Sequence, residues 1–458
     1  MTQPFPTDDR SLSGPFAPVY AECDAPHLPI RGKLPEGLEG TLYRTGPNPQ
    51  FAPAAGYHVF AGDGMLHAFR IARGRVSYKN RWARTPRWLL ENELGAALPP
   101  GDPRLLAIAG LADTKANTHV IWFADRLLAL EEAHLPFEMH PDSLASLGAC
   151  SFSGELDTRM TAHPKVDPKT GELVYFGYAA SGPATRDIAL GVVDAQGHVS
   201  QKRRIEAPFA SMVHDFAVTE SWLVVPAAPL VATPERMAKG LGGAYLWEPE
   251  RGMHIALVPR SGGEPRWIAT DASFVYHFMN AYETADGTLV CDALEFPEAP
   301  NFPRADGTRR ASPAQATLNR WRIDPAAGSI RKEALDDRAG EFPRIDDRFA
   351  TNEYRHGYFW TEPTKDAGAG VGTIDLATGK TEDFRTPAGD FCGEPVFVPR
   401  SPTAPEGDGW LLTVVTHPKE NRSELAILDA SHAGDGPIAT AELSHRVPMG
   451  FHGSFRGA

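Results

Sequence analysis

The sequence is poor in the features that mark several large protein classes. Only four cysteines occur in 458 residues, Cys23, Cys150, Cys291 and Cys392, and no two are close enough for a CxxC pair. That spacing excludes a local zinc knuckle or a dense disulfide framework and points to a reducing compartment. No apolar run approaches the roughly 20 residues of a spanning helix. Blocks of Lys and Arg are also missing: 58 acidic against 45 basic residues give a net charge of −13, so nucleic acid is not an expected partner. The start, "MTQPFPTDDRSLSGPF", has neither a basic head nor an apolar segment behind it, and a soluble cytoplasmic protein is the expectation. Long amphipathic helical patterns are scarce. So are the common catalytic signatures: there is no HExxH, no Walker loop and no GxSxG.

What the chain has instead is punctuation. Gly (43) and Pro (41) are frequent, and apolar residues, at 42%, suffice for a large core. Four segments share one turn design: "DPKTGELVYFGY" from Asp167, "DAQGHV" from Asp194, "DPAAGSI" from Asp324 and "DLATGKT" from Asp375. In each, Asp or Pro opens a turn and a Gly can take positive φ before the next strand. Such hairpins recur along residues 1–458 without a Gly/Ser or charged linker. They predict a single all-β body of repeated antiparallel sheets, a propeller or a large sandwich. Helices are expected only at Arg87–Leu98, Asp102–Ala112 and Thr233–Leu241, the last with Thr233 as cap and Pro234 at the first position. "GAGVGT" from Gly368 has no helix after it and reads as a loop.

Sixteen histidines carry the chemical interest. His198 lies in a hairpin turn, and His417, His432 and His445 in polar surroundings; His134 and His140 flank a Pro-containing segment. "HPD" at His140–Asp142 has the form of an HxD metal motif but sits in what reads as an exposed turn. Four others stand at or beside short β-type segments: His163, His214, His277 and His452. Each alone suits a hydrogen-bonded core position. A propeller, however, brings inner strands from distant parts of a chain to one axis, where neutral imidazoles could share a metal ion, each donating its other N–H to a buried acceptor. Three carboxylates stand in locally apolar settings: Glu132, Glu341 and Glu394.

Taken together, the ordered segments "LPEGLEGTLYRTGPNPQF" (Leu34–Phe51), "FAGDGMLHAF" (Phe60–Phe69), "ANTHVIWFADRLLALEEAHLPFEMHPDSLASLG" (Ala116–Gly148), "TAHPKVDPKTGELVYFGY" (Thr161–Tyr178), "MVHDFAVT", "YHFMNA", "EFPRID", "EPVFVPR" and "FHGSF" resemble the carotenoid cleavage oxygenase family. The resemblance implies a seven-bladed β-propeller with a dome of loops and short helices, and one Fe(2+) per chain held by His163, His214, His277 and His452. It implies further that Glu132, Glu341 and Glu394 orient three of these rings, His163 being the fourth, and that Thr118 of the "ANT" motif borders the site. His214 is then an inward-pointing ligand on a core strand, and Asp215, facing the other way, is structural.

The reaction implied is oxidative cleavage of one carbon–carbon double bond by O2, without an organic cosubstrate, to two carbonyl compounds. The substrate is a lipophilic small molecule: a carotenoid or apocarotenoid, with stilbenoids and styrene-type phenylpropenoids as the alternative. A non-oxygenase isomerase or binding relative is a third reading. Relatives acting on phenolic stilbenes resemble one another in a Lys just before the second of the adjacent acidic residues and a Tyr upstream. Here that Lys position is Glu131, and Gly95–Gly110 holds no Tyr, which favours a polyene. Apolar stretches around Trp88–Leu98, Leu105–Leu111 and Val224–Met237 are expected either to touch a membrane surface peripherally or to pack as the dome. Phe278 and Phe451, beside two ligands, are expected in core packing rather than lining a tunnel.

Overall fold

The computed structural model describes residues 4–53, 57–237, 244–310, 312 and 314–458. All four hairpin turns form as their Asp and Gly residues dictate. Gly171 (φ +70°), Gly197 (+89°), Gly328 (+66°) and Gly379 (+72°) adopt left-handed backbone. In all four turns the Gly N–H closes on the carbonyl of the opening aspartate, as with Gly171 on Asp167 at 2.8 Å. A side chain at these positions would pay the left-handed penalty that Gly avoids.

Among the described residues the strands assemble into seven sheets of four to six strands and one two-stranded ribbon. This is the architecture of a seven-bladed β-propeller. Most sheets follow sequence order, as with Lys165–Val166, Leu173–Tyr178, Asp187–Val193 and Val199–Glu206. Such a meander needs only short hairpins, which matches the turn-rich sequence.

By contact the chain groups into two units: Met1–Met160 with Glu362–Thr373 and Thr381–Ala458, and Thr161–Thr361 with Ile374–Lys380. In the first, the late strand Gly453–Gly457 pairs with the early strand Gly40–Pro47, and Ile30–Gly32 pairs with Ala439–Leu443. Strands from the two ends of the sequence thus complete sheets with one another, which leaves fewer open edges. Its core includes Leu42, Phe69, Tyr78, Trp410, Leu412 and Leu425. In the second, Phe176, Phe216, Leu257, Phe274, Leu294 and Trp321 lie in one continuous apolar cluster. Burying each such side chain contributes about 1.5–3 kcal/mol relative to exposure.

Two of the expected helices form, as Pro86–Leu94 and Pro103–Ile108. Thr85 caps the first, its hydroxyl accepting from Trp88 N–H, and Gly95 ends it in left-handed backbone. Trp88 and Leu105 turn inward, whereas Leu89, Leu94 and Leu106 are exposed. The third helix covers Pro234–Met237, with Thr233 Oγ1 accepting from Arg236 N–H; residues 238–241 of that expectation lie outside the described residues. "GAGVGT" is no cofactor loop: it runs into the strand Gly370–Asp375, and a Cβ at Gly368 would meet Thr386 Oγ1 and two backbone oxygens within 2.5 Å. No described helix is long and apolar enough to cross a membrane.

Candidate metal centre

The second unit contributes three of the sequence-selected histidines. His163 lies in an irregular segment just before the strand Lys165–Val166, and its N–H is taken by Thr161 Oγ1 at 3.0 Å. The same hydroxyl reaches the His214 carbonyl at 3.5 Å, so one buried threonine ties two ligand segments. His214 does not lie on a core strand as expected. Residues 212–216 are irregular, and the strand Ala217–Val218 starts only after them. The physical cause is Asp215. Its carboxylate takes the N–H of Phe216 and of Phe278, each at 2.8 Å, and binds Lys165 Nζ at 2.7 Å, so a side chain supplies the partners that a ladder would have given. His277 stands on the strand Phe274–Glu283, between register slips at Val275/His277 and Phe278/Asn280. Bulges of this kind re-aim side chains beside functional sites.

These three imidazoles converge. His163 Nε2 and His214 Nε2 are 3.1 Å apart, and the ring centroids lie 4.7 Å (His163–His214), 4.8 Å (His163–His277) and 5.1 Å (His214–His277) from one another. His277 Nδ1 pairs with Glu341 Oε2, which also accepts from Phe342 N–H at 2.7 Å. Phe342 is held at φ +53°, unusual for a bulky residue, where the strand Gly340–Arg344 slips register to present Glu341.

The first unit holds His452, buried just before the strand Gly453–Gly457. Its Nδ1 meets Glu394 Oε1 at 2.9 Å, while Gly453 N–H donates to Glu394 Oε2 at 2.9 Å. A carboxylate on Nδ1 fixes that nitrogen as the protonated one and leaves the Nε2 lone pair for a metal. His452 N–H donates to the Thr118 carbonyl at 3.0 Å, and Thr118 Oγ1 donates to Asn117 Oδ1 at 3.0 Å. Arg44, opposite Gly453 in the sheet, is buried with its guanidinium carbon 3.1 Å from where a Cβ on Gly393 would stand. Burial pulls its pKa down to about 10, against the pull of Glu394.

In the second unit His163, His214 and His277 form one buried group whose candidate ligand nitrogens lie within 4.8 Å of one another. Two nitrogens each about 2.0–2.1 Å from one ion, at right angles, would be roughly 3 Å apart. The His163–His214 separation of 3.1 Å fits that spacing, and a donor set of imidazoles suits a borderline divalent ion such as iron.

Other sequence candidates fall elsewhere. His140 is exposed and its Nδ1 accepts from the N–H groups of Asp142 and Ser143, a turn. His198 has its N–H on Asp194 Oδ1 in a hairpin, and His432 is exposed beside Ser431. Phe278 packs edge-on against Trp321 at 5.4 Å and Phe451 against Phe60 at 5.6 Å. Glu132 is half-buried just beyond the strand Arg126–Leu130. Its neighbour Glu131 pairs with His134. Burial alone would raise Glu131, but the imidazole and Lys115 outweigh it and hold the carboxyl below its usual range. Sequence reading treated His134 as bland and gave no role to Thr161 or Arg44. Nothing local marks any of the three.

The family model described as retinal pigment epithelial membrane protein matches residues 16–457. The isoeugenol monooxygenase of Pseudomonas nitroreducens is 35% identical, over 97% of this chain and 98% of that protein. Resveratrol cleavage oxygenase 1 of Aspergillus fumigatus is 36% identical, over 98% of this chain and 95% of that protein. Among solved structures, the lignostilbene dioxygenase of Pseudomonas brassicacearum superposes with a TM-score of 0.93 at 33% identity, over 100% of both chains.

Proposed function

The chain belongs to the retinal pigment epithelial membrane protein family of carotenoid cleavage oxygenases, and from that premise we propose that it is a non-haem iron(II) dioxygenase splitting one conjugated double bond of a phenylpropenoid or stilbene-type substrate. The family comprises oxygenases that cleave double bonds in stilbenes, phenylpropenoids and carotenoids using O2. The observation that carries the metal chemistry is the group of three buried imidazoles in the second unit, to which the proposal adds the buried, carboxylate-paired His452 of the first.

In this reading His163, His214, His277 and His452 hold one Fe(2+) per chain. Glu341 orients His277, Glu394 orients His452 and Glu132 orients His214. Carboxylates near the ion also offset its 2+ charge, which four neutral ligands leave intact. Iron(II) held there supplies the activation of O2, the electrons coming from the electron-rich alkene. One oxygen atom goes to each carbon of the broken bond, so two carbonyl compounds form and no reductant is consumed. Thr118, joined through its carbonyl to His452, narrows the approach on that side.

The substrate class rests on two supports. Relatives named for isoeugenol and resveratrol, both phenols, match over nearly the whole chain. The half-buried Glu131–His134 pair, beside Lys115, offers a charged acceptor to a phenolic hydroxyl. An apocarotenoid is the second reading, favoured by Glu131 standing where phenol-engaging relatives are expected to carry Lys. Exposed Leu89, Leu94 and Leu106 would then face the lipid store from which a polyene is drawn.

Iron-loaded protein given isoeugenol, resveratrol and an apocarotenal in air, with products identified by mass, separates these readings. Paired carbonyl fragments from the phenols support the first and from the apocarotenal alone the second; none from any would remove both.

A further inference from the structure

The least exposed carboxylate in the second unit's histidine cluster is Asp215, whose side chain is 1% accessible. It is the immediate neighbour of His214. Its Oδ2 takes the N–H of Phe278, the immediate neighbour of His277, at 2.8 Å. Its Oδ1 binds Nζ of Lys165, two residues beyond His163, at 2.7 Å, and takes Phe216 N–H at 2.8 Å. One carboxylate therefore bonds a backbone or side-chain group within two residues of each of three imidazoles that come from segments about fifty to a hundred residues apart. Thr161 adds a second tie between the His163 and His214 segments.

Three ligands on three separate segments would each lose conformational freedom on meeting a metal. Fixing them beforehand removes that cost from binding. Lys165 makes the arrangement tolerable: a buried carboxylate needs a counter-charge and full hydrogen bonding, and Asp215 has both.

Resting on the metal-centre reading above, we infer that Asp215, with Lys165 as its counter-ion, is a positioning residue that presets His163, His214 and His277 for one metal ion. It touches neither metal nor substrate and acts through the three segments it joins.

The test is iron(II) affinity, measured anaerobically by competition with a chelator on full-length protein, together with thermal unfolding of each metal-free form. Asp215→Asn and Lys165→Met should each weaken iron(II) binding by about 10- to 100-fold, the range of losses when groups supporting metal ligands are removed. The double variant removes the same tie to the His163 segment and buries no unpaired charge, so it should bind iron(II) about as weakly as the single variants, the two losses not adding. With iron saturating, kcat should return towards wild type in all three and KM should stay unchanged. Melting temperatures that fall while the folded protein binds iron as tightly as wild type would make Asp215 a fold-stabilising residue only and overturn the inference. So would a double variant weaker than both single ones. If Asp215→Asn does not fold, Lys165→Met alone decides, its lysine being the partly exposed partner. Wild-type protein that takes up no iron would instead bring down the metal-centre reading itself.

Discussion

Replacing Glu394 by Gln removes one charge and changes no shape, and its consequence can be worked from the geometry. Glu394, with its side chain 3% accessible, accepts two hydrogen bonds through two different oxygens: His452 Nδ1–H on Oε1 and Gly453 N–H on Oε2, both at 2.9 Å. A glutamine has one oxygen and one NH2, so it can accept only one of them. If the amide oxygen faces Gly453, the NH2 group faces Nδ1, and the imidazole must move its proton to Nε2, the nitrogen wanted by the metal. If the oxygen faces His452, Gly453 N–H is left buried against a donor. Either way a charge-assisted bond is lost, about 1.5–3 kcal/mol. At about 1.4 kcal/mol per tenfold, iron(II) binding should weaken roughly 10- to 100-fold. The assay is anaerobic chelator competition with circular dichroism as the folding control. Wild-type iron affinity in a folded Glu394→Gln protein would refute the role of Glu394 and the tautomer given to His452.

Other substitutions test separate parts of the structure. His214→Ala or His277→Ala should abolish turnover and strip iron, whereas His198→Ala and His432→Ala, in turns, should leave iron content and activity as in wild type; equal loss in both groups would mean general misfolding. Glu131→Gln should lower kcat/KM for a phenolic arylalkene by about tenfold, the worth of one charged hydrogen bond, and leave its O-methylated analogue within about twofold. Loss on both would detach Glu131 from phenol recognition. Gly46→Ala places a Cβ 2.4 Å from Gly450 Cα, a backbone atom that cannot step aside, and should cost about 1–3 kcal/mol in a urea titration. An unchanged midpoint would contradict that packing.

The hairpins were legible because their cause is local: an Asp to open, a Gly to take positive φ, and apolar strands on either side. The start of the third helix was legible for the same reason, as Thr233 shows. The histidines were legible only as imidazoles in unexpected places, and the ordered family-like segments supplied the grouping. Three of the four stand off the ladder, which the strand-like alternation around His214 concealed. There the backbone is governed by Asp215, whose decisive partner, Phe278, is 63 residues away. Contacts of that separation leave no trace in a local pattern. The Glu131–His134 pair escaped for a different reason: its two members are ordinary surface types, and only burial gives them meaning. Substrate preference was read from two local features, Glu131 and the lack of a Tyr in Gly95–Gly110, whereas relatives named for isoeugenol and resveratrol match over nearly the whole chain.

One comparison goes to the heart of the matter. The same preparation, loaded anaerobically with iron(II), loaded with zinc, or left metal-free, is mixed with isoeugenol in air, and the fragments are quantified by mass. Cleavage to two carbonyl products by the iron form alone, lost when air is excluded, is the expected result. Equal cleavage by the zinc-loaded or metal-free protein would contradict an iron-dependent dioxygenase built on His163, His214, His277 and His452.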